Sequence, residues 1–107
     1  MTNQWTDRIF RQGDLLISRV WEIPSNAIAK STNIIGEGEK TGHTHTLNGQ
    51  HQIFETEDYN TIYFEAKEEV SIEHPEHNTI QIPKGVYTVV HERQHNPFEQ
   101  RDEDVLD

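Results

Sequence analysis

Five residues carry most of the chemistry this chain offers: His43 and His45 in GEGEKTGHTHTLNG, and His74, Glu76 and His77 in SIEHPEHNTI. Side chains two apart on an extended segment point to the same side, so if 43–47 is a strand the imidazoles of His43 and His45 converge within reach of one ion. His74 shares a strand face with Val70 and Ile72 and is expected to point inward; Pro75 then breaks the strand and His77 follows in the turn. Together His43, His45, His74 and His77 can supply up to four neutral nitrogen ligands. That set suits zinc, iron, nickel, copper or manganese rather than calcium or magnesium. Three of them with a water leave an open, reactive position, whereas all four close it. Glu76 and His77 are the candidates for proton transfer, Glu76 as a general base or as the carboxylate that orients a ligand imidazole. The chain has no cysteine, which excludes thiolate sites and disulfides and leaves nitrogen and oxygen as the metal donors.

The same histidines serve a second chemistry. Two imidazoles with separated pKa values act as general base and general acid on a phosphodiester, and a cation from Lys40, Lys84, Arg93 or Arg101 steadies the charge that develops. Such a pocket takes a nucleotide or a cyclic nucleotide. Lys40, His43, His45, His74, His91 and Arg93 form the candidate ligand-binding set; His91 alternates with Tyr87 and Val89 and can reach the site from across a barrel. The plainer alternative has His43 and His45 facing solvent and His74 capping its own turn. The glycines of GEGEKTG lack the spacing of a Walker loop and instead allow a bend, a bulge or a flap beside the histidines.

The elements that must hold these residues read as strands. Two-residue alternation dominates from residue 14 onward and no stretch carries a 3.6-residue apolar stripe. The first strand is expected in DLLISRVWEI, with Leu15, Ile17, Trp21 and Ile23 on one face, and PSNAIAK is turn-like. TNIIGEGE, HQIFE (51–55), NTIYFEA (60–66) and EVSIEH (69–74) follow as short strands. TIQIP (79–83) and VYTVVHER (86–93) form a last pair joined across Pro83-Lys84-Gly85. Seven or eight short strands predict an all-β fold, a small antiparallel barrel or sandwich.

With 107 residues, of which 32% are hydrophobic, the chain fits one domain with a modest core. We place that domain over 1–95 and read 96–107 as an acidic tail, since Glu99, Asp102, Glu103, Asp104 and Asp107 crowd the end. Nine basic against 19 acidic residues give a net charge of −10, which repels a phosphate backbone and disfavours nucleic-acid polymers. No segment reads as a signal peptide or a membrane span, and a soluble cytoplasmic protein is expected. Trp5, Phe10 and Trp21 are candidates for core or subunit contacts, and exposed edge strands would allow a homo-oligomer.

The series QGDLLI (12–17), GEGEKTGHTH (36–45), HPEH (74–77) and IPKGVYTVVHERQ (82–94) resembles a group of small bacterial and phage proteins without an assigned function. The likeness spans most of residues 12–94. A looser similarity is to cupins, small β-barrels with HxH in a first motif and PxG followed by His in a second. Gly42-His43-Thr44-His45 matches the first, and Pro83-Lys84-Gly85 with His91 matches the second. The glutamate expected shortly after HxH is replaced by Leu47, Asn48 and Gly49, and His91 lies further from Pro83 than the cupin pattern has it. The resemblance implies a cupin-like architecture. The expected function is metal-dependent binding of a small polar ligand in a histidine-lined pocket, with hydrolysis as an extension; the alternative is a non-catalytic protein that sequesters a nucleotide signal or inhibits a host factor.

Overall fold

The computed structural model describes residues 9–37, 42–57 and 61–91. They form ten strands: β1 (Ile9–Gln12), β2 (Leu15–Arg19), β3 (Ile28–Lys30), β4 (Ile34–Glu37), β5 (Thr44–Asn48), β6 (His51–Glu55), β7 (Ile62–Ala66), β8 (Val70–His74), β9 (His77–Ile82) and β10 (Gly85–His91). The fold is all-β. Two sheets, ordered β1-β2-β10-β7-β6-β3 and β4-β5-β8-β9, pair antiparallel throughout and pack as a sandwich. Among the described residues no helix is long and apolar enough to cross a membrane.

Alternation explains which faces meet. Leu15 and Ile17 of β2, Phe64 of β7 and Tyr87 and Val89 of β10 point inward from the larger sheet. Leu47 of β5, Val70 and Ile72 of β8 and Ile82 of β9 answer from the smaller one. Each fully buried side chain of this size contributes roughly 1.5–3 kcal/mol of transfer free energy. Phe64 stacks on Tyr87, and Phe10 meets the Tyr87 ring edge-on, so the aromatic part of the core lies in one sheet.

Four hairpins, β1–β2, β4–β5, β6–β7 and β8–β9, turn at one end of the sandwich. The connections between sheets, β3 to β4, β5 to β6, β7 to β8 and β9 to β10, cross at the other. Gly49 (φ 115°) and Gly85 (φ 155°) serve two of those corners, where a Cβ would strike Val70 and the Arg19 guanidinium respectively. A backbone bond from Lys67 N to Gln50 O ties two corners together.

Several expectations change. The segments 79–83 and 86–93 are not a hairpin: β9 and β10 lie in different sheets, and Pro83-Lys84-Gly85 is the corner between them. The first strand stops at Arg19, and Trp21 is 90% exposed rather than inward, because alternation ends with the strand. Residues 28–30, read as part of a turn, form edge strand β3 against β6. His77 opens β9 instead of sitting in the turn, which shortens the connection to Pro75 and Glu76. Strand β1 was not anticipated, since IFRQ offers only four residues. Trp5 lies outside the described residues, as does the acidic tail.

Candidate functional site

Four of the seven histidines meet at the hairpin end. The His74 ring centroid lies 4.4 Å from that of His45, 4.5 Å from that of His77 and 5.7 Å from that of His43. His45 and His77 are parallel at 6.2 Å. Local backbone features bring them there. An extra residue on β4, between Ile34 and Gly36, buries Ile35 and Gly36 in succession and sets Gly36 opposite His45. A second irregularity lies between Ile72 and His74, after which His74 faces His77 across the hairpin.

His45 is the buried member of the cluster, and its orientation is fixed by Gln12. The Gln12 Nε2 amide donates to the carbonyls of Ile72 and Asn78, both at 2.8 Å. Its Oε1 must therefore accept, and it lies 2.8 Å from His45 Nδ1. The hydrogen sits on Nδ1, and the Nε2 lone pair is left bare. This is the arrangement by which metal-binding imidazoles are held, the distal N–H donated to an oxygen and the proximal nitrogen aimed at the ion. His45 Nε2 lies 3.8 Å from Asp14 Oδ1, in the β1–β2 turn. Burial, with His74 adding to it, lowers the His45 pKa to about 4, so the ring is neutral at ordinary pH.

His74 carries the complementary proton. Its Nδ1 accepts the backbone N–H of Glu76 at 3.0 Å, so in the neutral ring the hydrogen is on Nε2. Burial, then His77 and His43, lower its pKa. This bond is the turn cap offered as the plainer reading of His74, and it coexists with the cluster. Glu76 Oε2 lies 3.5 Å from His43 Nδ1. His77, exposed, packs over Gly13, whose positive φ of 63° shapes the β1–β2 turn.

His91 comes from the opposite sheet. Its Nε2 is buried and has no hydrogen-bond partner among the described residues. Gly36 separates it from His45: a Cβ there would stand 3.2 Å from both His91 Nε2 and His45 Cδ2, and 2.6 Å from Leu15 Cδ1. As they stand, no three His, Asp or Glu side chains among the described residues are disposed to hold a metal ion. Beside the histidine cluster, an open groove of about 440 Å³ runs along the outer face of the smaller sheet, lined by Thr44, Thr46, Asn48, Glu73, His74 and Thr79.

A family model described as a domain of unknown function, DUF8820, matches residues 11–92. The chain belongs to this family. No curated protein and no solved structure matches it. The matched region contains Gln12, Asp14, Gly36, His43, His45, His74, His77 and His91. Of the other residues expected at the site, Lys40 and Arg93 lie outside the described residues, and Lys84 is at the opposite corner, where its carbonyl accepts from Arg19. Gln12, Asp14 and Gly36 were not anticipated as site residues. The one signal for Gln12 was a polar residue at an inward-facing position directly before a turn.

Proposed function

We propose that this DUF8820 domain binds a first-row transition-metal ion on His45 Nε2 and presents it to a small polar ligand at the hairpin end of the sandwich. The observation that carries this reading is the Gln12 amide, whose two carbonyl partners leave His45 with a bare, neutral, inward-held donor nitrogen. Electrostatics favour a cation over an anion: the groups acting on His45 and His74 are other histidines together with Asp14 and Glu76. A nucleotide phosphate would meet carboxylates there. The donors have to close by side-chain rotation. Breaking the bond between Glu76 N and His74 Nδ1, if His74 is recruited, costs only about 1 kcal/mol. The hydroxyls of Thr44 and Thr46 suit a polar ligand reaching His74 along the groove.

Elemental analysis of tag-free protein, purified without added metal or chelator, tests the proposal. Near-stoichiometric zinc, iron, nickel or manganese is expected in the wild type and none in His45→Ala with unchanged far-UV circular dichroism. A wild type that neither retains nor takes up any of these ions would exclude the reading. A second reading, proton transfer without metal between His45 Nε2 and His74 Nε2–H, is favoured by the complementary protonation of the two rings. Ligand turnover that survives exhaustive chelation would select it.

A further inference from the structure

We infer that the outer face of the larger sheet is covered by the same face of a second copy of this chain, making the protein a two-fold dimer. This inference is independent of the metal-binding reading.

The two outer faces of the sandwich differ in kind. Period two turns Thr44 and Thr46 of β5, Ser71 and Glu73 of β8, and Thr79 and Gln81 of β9 outward from the smaller sheet, a face suited to water. On the larger sheet the registers line up one outward residue from each strand in a single row, Ala29, Phe54, Tyr63, Thr88, Ser18 and Ile9. Leu16 and Val90 pair beside this row, and Val86 lies on its other side. Ile9 is 50% exposed and Val90 44%. Leu16, Phe54, Tyr63 and Val86 are half-buried, yet the half-buried apolar residues that pack on the core are Phe10, Ile62 and Ile80. The row and its flanks therefore form an apolar surface with nothing from the core behind its side chains.

A monomer seldom leaves such a surface bare. Six strands about 4.8 Å apart, with outward residues about 6.7 Å apart along each, give a face with a plan area on the order of 500 Å². The accessible area of a ridged face is larger than its plan. Contiguous apolar patches on monomers rarely exceed a few hundred Å², whereas about 800 Å² per partner makes a stable interface.

Two features single out a second copy. One is charge. At −10, two copies repel each other wherever acidic surfaces meet, but the outward charges of this sheet among the described residues are Arg11 and Glu65, one of each sign. The other is shape. The row is bulky on one side, at Phe54 and Tyr63, and small on the other, at Thr88 and Ser18. A two-fold axis parallel to the strands, between β7 and β10, reverses the row and sets Phe54 of one copy over Ser18 of the other and Tyr63 over Thr88. Bulky side chains then meet small ones in both halves, as a self-complementary interface requires. An axis across the strands would set Phe54 on Phe54 instead.

Sedimentation equilibrium of the full chain tests the proposal. A dimer is expected at concentrations on the order of 100 µM. Tyr63→Glu and Val90→Glu, each with unchanged far-UV circular dichroism, should weaken it at least about 100-fold, because each places two lone charges in a desolvated interface. Gln81→Glu, on the outer face of the other sheet, should dimerise as the wild type does. Val90 lies outside the core, so its variant reads the interface even if Tyr63→Glu fails to fold. The chain has no cysteine, so an oxidised equimolar mixture of Phe54→Cys and Ser18→Cys chains should yield a covalent dimer carrying one of each; its absence would overturn the reversed register. A monomeric wild type would overturn the dimer, whether another segment of this chain or a different protein then covers the face. A dimer that resists both glutamate variants, as pairing of two β3 edges would, overturns it as well.

Discussion

Gln12 does more at the hairpin end than its type suggests. One buried amide satisfies two backbone carbonyls on β8 and β9 and a ring nitrogen on β5, so it joins three strands and sets a tautomer at once. Gln12→Leu removes all three bonds and leaves the Ile72 carbonyl and His45 Nδ1 buried without them. We expect a loss of about 3 kcal/mol in urea unfolding, given 1–3 kcal/mol for each stranded group with some relief by water. Nitrogen-15 spectra of the wild type should show His45 protonated at Nδ1 and bare at Nε2. His45 also makes stability depend on pH. Its folded pKa, about 4, lies below the unfolded value of 6.5, so the unfolded chain binds more protons between those limits. Stability from this group is complete above pH 6.5 and drains away as pH falls towards 4, by on the order of 2–3 kcal/mol. Urea midpoints at pH 7 and 4.5 should separate in the wild type and draw closer in His45→Phe.

At the scale of elements, alternation made the strands around the site readable. HQIFE is β6 to the residue, and the inward set of β2, β8 and β10 follows from period two. Where a strand ends is another matter: nothing in SRVWEI announces that Trp21 has left the sheet. Ile17→Ala should therefore cost about 2–5 kcal/mol, and Trp21→Ala less than about 1 kcal/mol; comparable losses would mean that the exposed indole is covered. The division into two sheets was illegible for a related reason. Pro83-Lys84-Gly85 reads as the turn of a strand pair, but a positive φ serves a corner between sheets as well as a tight turn. His43 and His45 both come against His74, as their two-residue spacing allows. Gly36 and Asp14 were not readable, because their relation to His45 and His91 exists only once the sheets have packed.

For the whole molecule, an ion held at the hairpin end would stabilise the native state alone. At a hundred times its dissociation constant it adds about 2.7 kcal/mol. For a domain of this size that raises the unfolding temperature by roughly 10–20 °C. Calorimetry with and without zinc reads this directly, and the shift should vanish in His45→Ala.

The partners of the Gln12 amide lie 33, 60 and 66 residues along the chain. A polypeptide emerging from the ribosome therefore exposes Gln12 and His45 well before the Ile72 and Asn78 carbonyls that fix the Gln12 amide exist. Until Asn78 has left the exit tunnel and the second sheet has closed, the imidazole of His45 is free to take either tautomer. The properly oriented donor is a late product of synthesis, and a chain truncated before β9 would have the residues of the HxH motif without its chemistry.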